Sequence, residues 1–388
     1  MALDNSTPVP NTDVNEDMGA APSRQGVNFV EFDQARCLPQ TESVLFSSFP
    51  GEIRDLIFYY ALCDYEDTNK LYDQNTCYRR PGYFAPRRAD TALLRTCQRI
   101  YREAWFLPWT NREHTFFLTH HDRCPVRTVT QEEMDRTLRH IADKHGETEI
   151  EHIRVFPQLY RIEDGIDLQK INDWAHFRPR RFTITIRHTD WWNWESDQPL
   201  RIDSRFVNSC RFPDSVRELR FELESIERKK DQINFMAKEM MEKWQFQRKD
   251  GTRLSAKNSE ISVTQWSGSS TWNGQRWLRD ESRADTLDYY VLSIAFTPIV
   301  KGSPDEVPEI NYSPPLRVEN YTPLTSFRPH ISTAILEAAQ IPPGTAAEDV
   351  VRRWNEFNNG RMRMHPVRRP FIRGLRGLRG PANSGPSQ

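Results

Sequence analysis

The sequence predicts an α+β or α/β protein: a small helical N-terminal module packed on a mixed or mostly parallel sheet with crossover helices, between disordered termini. Three observations carry this. Apolar residues recur with a helical period over 53–61 and again over 93–104. Arg181-Phe-Thr-Ile-Thr-Ile-Arg187 alternates with period two, placing Phe182, Ile184 and Ile186 on one face and Thr183 and Thr185 on the other. Further strand-like runs are separated by helix-length stretches, which favours parallel pairing through crossovers.

Taken along the chain, residues 1–42 are predicted disordered, 43–120 form the helical module and 121–300 the α/β body. A Pro-rich segment (301–344), a short amphipathic helix (345–358) and a disordered Arg/Gly tail (359–388) follow. Both ends are poor in the large apolar residues that a core requires. Eleven Trp, with 21 Phe and 12 Tyr, supply apolar area for a sizeable core between them. Charged residues are 28% of the chain but the net charge is −1, so the whole chain advertises neither a nucleic-acid nor a membrane partner. There is no long apolar run and no basic-then-apolar start, so a cytoplasmic or nuclear protein is expected. The six Cys are scattered without a Cys-x-x-Cys pair, and Cys63 and Cys97 are expected as reduced, buried thiols.

In the module, Ile53, Leu56, Ile57, Tyr60 and Ala61 form one apolar helical stripe, and Pro50 and Glu52 suit its first turn. Leu93, Cys97, Ile100 and Ala104 form a second, with Asp90 as N-cap and Pro108 as its stop. Two such short helices must pack their stripes on each other and on the body. Asp64 to Ala89 between them is a long polar loop carrying Arg79-Arg80 and Arg87-Arg88.

The pattern Phe49-Pro50-x-Glu52-Ile53-Arg54-x-x-Ile57, then Leu93-Leu94-x-Thr96-Cys97-x-x-Ile100-Tyr101-x-Glu103-Ala104, then Asn111-x-x-x-x-Phe116, resembles the F-box-like families of filamentous fungi. Their usual opening is Leu-Pro-x-Glu-Ile-Arg, and Phe49 stands in place of that Leu. The resemblance implies a helical module that docks the Skp-type adaptor of a cullin–RING ubiquitin ligase through Pro50, Ile53, Leu56, Ile57 and Tyr60. It implies a body that presents a surface to an unknown protein target. The alternative is a stand-alone structural or ligand-binding protein with no ubiquitin role, its F-box-like helices being part of the core.

Beyond the module, Thr130-Gln-Glu-Glu133 is a capping box that opens a helix with Met134, Leu138 and Ile141 inside and Gly146 as its stop. Strands are expected at 150–156, 181–187, 218–224, 261–266 and 289–296, and residues 111–118, with Phe116 and Phe117, also have strand character. The longest helix follows the third of these, with Ile226, Ile233, Met236, Ala237, Met240 and Trp244 inside and 227–231 facing solvent. Thr345-Ala-Ala-Glu348 caps a last helix on which Val350, Val351, Trp354 and Phe357 make an apolar face.

Signatures of catalysis are missing: no Gly-x-Ser-x-Gly, no phosphate loop, no dinucleotide fingerprint and no His-Glu-x-x-His. The chain is therefore read as a non-enzyme without cofactor. His120, His121 and Cys124 match no zinc spacing and are read as polar loop residues. Two aromatic stretches stand out, Trp191-Trp192-Asn-Trp194 and a Gly/Ser-rich run holding Trp266, Trp272 and Trp277. Trp191, Trp192, Trp194 and Trp272 form a candidate recognition surface, since indole rings offer flat faces and an N–H; the alternative is that they close the core. Both stretches also resemble the continuation of the same fungal families. The tail, with nine Arg against one Glu from Arg352 to Arg379, offers RNA or an anionic surface a flexible basic contact.

Overall fold

The computed structural model describes residues 38–299, 310–325 and 328–364. Helices α1 (Gly51–Ala61) and α2 (Gln98–Ala104) come first, then strand β1 (Glu113–Leu118), helix α3 (Gln131–His145) and strands β2 (Ile150–Pro157), β3 (Pro179–Ile186) and β4 (Glu218–Ile226). Helix α4 (Lys230–Lys243) leads to β5 (Gln245–Arg248), β6 (Arg253–Ser255), β7 (Ser262–Ser269), β8 (Thr286–Pro298) and helix α5 (Ala347–Met364). One nine-stranded sheet runs β1-β2-β3-β4-β8-β6-β5 and ends on the two-residue strand Arg211–Phe212, while β7 pairs with β8 off this path. β1 to β4 are parallel; β8 is antiparallel to β4, to β6 and to β7. The sheet is mixed and the fold α+β, as the sequence predicts.

Local chemistry sets the crossovers. Thr130 accepts from Glu133 N–H (3.2 Å) and Glu133 reaches back to Thr130 N–H, so α3 starts on its capping box. It ends at Gly146, whose φ of 95° suits only glycine without strain. Met134, Leu138 and Ile141 are buried beneath it. Parallel register aligns Ile153, Phe182 and Leu219 in one row and Val155, Ile184 and Phe221 in the next, a continuous apolar face that the helices cover.

The opposite face is polar and largely removed from water. Glu113 pairs in register with His152, Arg154 with Thr183, and Thr185 with Glu222. His152 Nδ1 lies 2.8 Å from Glu113 and its Nε2 2.8 Å from Thr183, while Arg154 donates to Glu113 (3.1 Å), Thr185 (2.7 Å) and Glu222. The segment 64–89, read from sequence as a polar loop, is the cover of this face. A two-stranded pair, Asp64–Glu66 with Arg87–Ala89, closes its base. At its tip Arg80-Pro81-Gly82-Tyr83 makes a type II turn, with Tyr83 N–H bonded to Arg80 O (2.8 Å) and Gly82 at φ 78°. Arg80 then pairs with Glu222 (3.7 Å) and Glu224 (3.4 Å), and Tyr83 hydroxyl donates to Glu113.

Several expectations are corrected. β1 belongs to the body's sheet, so the helical module ends before 113 and not at 120. The run 227–231 was expected to face solvent, yet Lys229 is only 2% exposed. Its ammonium lies 3.1 Å from buried Asp197, which also accepts from Arg228 (3.0 Å), Tyr321 hydroxyl (2.8 Å) and Leu324 N–H (2.8 Å). The last helix runs past 358 to Met364; Val350 packs with Leu278, Ile331 and Ile341 in a small core of its own. Cys63 is exposed and Cys97 half-buried, where its sulfur caps α2 at Ile100 N–H (3.5 Å). Residues 1–37 and 365–388, expected as disordered and including nearly all the basic tail, lie outside the described residues.

Replacing Asp197 by Ala strands the buried Lys229 charge. The change is expected to cost about 3–5 kcal/mol in chemical denaturation, as for removal of one partner from a buried ion pair. A loss below about 1 kcal/mol would mean that solvent reaches the ammonium.

Candidate functional site

Two regions combine chemistry with access. The first is the outer face of α1. The helix carries apolar residues on two faces, and the structure buries the one the sequence reading passed over. Phe58 and Leu62, at 0% exposure, pack on Ile100 and Ala104 of α2. The stripe expected to pack inward is the solvent face: Ile53 is 42%, Leu56 52%, Ile57 38% and Tyr60 67% exposed. Pro50 is exposed as well, and Phe49 continues the patch beyond the helix start. Arg54 and Glu103 explain why the two motif halves come together. The Arg54 guanidinium bonds Glu103 at 2.9 Å and Phe49 O at 2.9 Å, and Arg99 bonds the other oxygen of Glu103 at 3.1 Å. Arg54 and Arg99 both lie over the Phe46 ring. The clamp holds α1 by its polar edge and leaves its apolar stripe free.

The second region lies under the 64–89 strap. Arg79, Arg80 and Cys77 face Arg187, His188, Thr189 and Glu224 across a recess of about 40 Å³, closed on its third side by Trp266, Trp272 and Tyr289. Gln74, Arg79 and the run Ser267-Gly268-Ser269 also line an open cleft of about 830 Å³. Arg187 is matched by Asp190 (2.7 and 3.1 Å), and Glu224 accepts from Trp266 indole N–H (3.1 Å). Five buried polar atoms of the lining have no partner: Arg79 Nε, Arg80 Nε and Nη1, His188 Nε2 and Thr189 Oγ1.

Burial holds His188 neutral, pulling its pKa down to about 3, and pushes the Cys77 thiol up, away from a reactive thiolate. Burial would raise the Glu113 carboxyl, but the His152 hydrogen bond and the Arg154 charge outweigh it and hold Glu113 well below the usual carboxylate range. The guanidinium donors beside these groups can hold a hydrogen-bond acceptor.

Of the aromatic candidates, Trp191, Trp194 and Trp272 are buried and Trp192 is half-buried. Trp194, Trp272 and Trp277 pack on one another with centroids 4.3–6.0 Å apart, so their faces are occupied by each other. Trp191 donates to Glu224 O (2.9 Å) and Trp192 to Glu163 (2.8 Å) under the Arg201 guanidinium. Trp272 lines the recess and the others close the core instead of forming an open platform. His120 and His121 lie on a surface turn, with His120 Nδ1 2.8 Å from Asp122. The recess residues Arg79, Arg80, His188 and Thr189 were missed as a set. The legible signal was Arg-Arg-Pro-Gly-Tyr, a turn signature that carries two charges inward.

The two faces of α1 are separable by mutation. Phe58→Ala is expected to destabilise by about 3–5 kcal/mol and Ile57→Ala by less than about 1, both read by chemical denaturation. For the recess, the folded pKa of His188 lies below its unfolded value, so the unfolded chain binds the extra proton. Its contribution to stability is full above about pH 6.5 and falls as pH drops toward 3, by about 1.4 kcal/mol per pH unit for one proton. A His188→Gln variant should therefore lose less in melting temperature between pH 7 and pH 5 than the parent. Equal losses would mean that His188 is already protonated in the fold. Compared with protein-family models, curated proteins and solved structures, the chain matches none of them.

Proposed function

We propose that this chain is a non-enzymatic interaction protein in which α1 docks a helix-accepting groove on a partner, the F-box resemblance naming a Skp-type adaptor as that partner. The observation that carries the reading is the exposure of Ile53, Leu56, Ile57 and Tyr60. Their i, i+3, i+4, i+7 spacing is the anchor pattern of helix-in-groove recognition, where a few apolar side chains supply most of the energy. A contiguous apolar patch on water is costly unless a partner covers it. Phe58 and Leu62 complete an internal core with α2 without drawing on this stripe, so docking leaves the fold undisturbed. This favours docking over the alternative in which the same side chains are internal. On this reading the protein is a substrate-recognition subunit of a cullin–RING ubiquitin ligase, and its sheet body carries the target-binding surface. No helix of the described residues is long and apolar enough to cross a membrane, which agrees with a role on soluble partners.

The experiment is a titration of the full chain with the Skp-type adaptor of a filamentous fungus. Micromolar or tighter binding is expected, and Leu56→Asp or Ile57→Asp should weaken it by at least about 30-fold, the loss typical of an interface hot spot. Leu56→Asp should keep the parent's melting temperature, because more than half of that side chain is already in water. Absence of binding by the folded parent chain would remove the adaptor from this proposal.

A further inference from the structure

The recess under the strap holds more unmet hydrogen-bonding capacity than any structural role of its residues uses. Buried polar groups are normally paired, and each exception calls for a partner. Here five exceptions line one space of about 40 Å³. Their chemistry is one-sided. Arg79 Nε, Arg80 Nε and Arg80 Nη1 are donors that cannot accept, and Thr189 hydroxyl can donate too. Arg80 is only 7% exposed, and its ion pairs to Glu222 and Glu224 run through Nη2, leaving Nε and Nη1 toward the recess. The space therefore calls for acceptors, and Arg79, which has no ion pair among the described residues while Arg80 and Arg187 are matched by carboxylates, favours a negatively charged one. A carboxylate, with two acceptor oxygens in one plane, matches the donors of the two guanidiniums.

What brings the carboxylate is written in the strand beside it. β7 pairs with β8 along its whole length, Ser262 with Ser293 through Ser269 with Thr286. No strand among the described residues pairs with its other edge. An unpaired edge is a template for one more strand. The end of that edge, Ser267-Gly268-Ser269, lines both the recess and the open cleft of about 830 Å³. A chain paired to β7 would reach, at Ser267 to Ser269, the mouth of both the cleft and the recess that Arg79 lines.

The geometry points to a binding site for the C-terminus of a partner polypeptide: the last residues add a strand to the outer edge of β7, and the terminal carboxylate enters the recess to accept from Arg79 and Arg80. Affinity comes from main-chain bonds along the edge and from the charge-assisted bonds at its end. Thr189, which lines the same recess, supplies a further hydroxyl. The site makes no use of α1, so it stands whether or not an adaptor docks there.

The test uses the full chain and a pool of random heptapeptides displayed with free C-termini. Sequences that enrich are then remade as fluorescent peptides in two forms, free acid and amide. Free acids are expected to enrich, and amidation or N-methylation of alternate backbone nitrogens should weaken binding at least tenfold. Arg79→Gln should do the same while leaving the melting temperature unchanged, because Arg79 is half-buried and carries no structural ion pair in the strap. Ile57→Asp should leave peptide affinity untouched, which separates this site from the adaptor face. Failure of any free-acid peptide to enrich on the folded chain would overturn the proposal. So would equal binding of acid and amide, or an Arg79→Gln variant with parent affinity. Acetate binding as tight as the best peptide would also overturn it, since the edge of β7 would then contribute nothing.

Discussion

The fold depends on how a parallel sheet hides charges on its second face. Glu113, Glu222 and Glu224 stand in one layer with Arg154, all largely removed from water. Carboxylates in such surroundings are stable only when paired and hydrogen-bonded. Arg154 bridges Glu113 and Glu222, but it is one cation among three carboxylates. The second cation is Arg80, brought in by a type II turn at the tip of the 64–89 strap. The strap is thus an obligatory counter-ion carrier, and the apolar contacts at its tip are secondary: Tyr83 on Phe156 at 5.1 Å, Arg80 over the same ring at 5.7 Å.

That requirement explains the length of the strap. A helical pair alone needs only a short connection. Here the chain leaves α1, crosses the polar face of the sheet, delivers Arg79, Arg80 and Tyr83, and returns to begin α2. The hydrogen-bonded pair of Asp64–Glu66 and Arg87–Ala89 brings the two ends back together, so the helices still meet through Phe58, Leu62, Ile100 and Ala104. Module and body are stitched by one excursion, and β1 follows α2 into the sheet after only a short helical turn, Leu107–Thr110.

Much of the fold was legible because local chemistry and burial agree. The Thr130–Glu133 capping box, the alternation of β3 and the stripe of α4 each point one way, and each is where the pattern put it. The failures share a cause. A period tells which residues share a face, not which of two apolar faces turns inward. On α1 both 53-56-57-60 and 54-58-62 satisfy helical spacing, and the second packs because Arg54 finds Glu103 and Phe58 finds Ile100 and Ala104. Lys229 was misplaced because hydropathy assigns a charge to water, while Asp197, with a left-handed backbone 32 residues earlier, offers it a buried partner. The cover of the Thr face of β3 was read as a loop for the same reason: the segment 64–89 is polar, and polar segments read as loops.

The recess is a by-product of that same electrostatic design. Arg80 must lie deep enough to reach Glu222 and Glu224, yet only one of its nitrogens does so. Arg79, adjacent in sequence, is carried to the same level and rests on Phe84 at 4.9 Å. Two neighbouring guanidiniums are thereby held where one suffices for the sheet. Trp266 is fixed against Tyr289 at 4.2 Å and by its bond to Glu224, so the facing wall is rigid as well. Surplus donors between rigid walls lose little entropy when they meet an acceptor, and this preorganisation is what separates a binding recess from a packing defect.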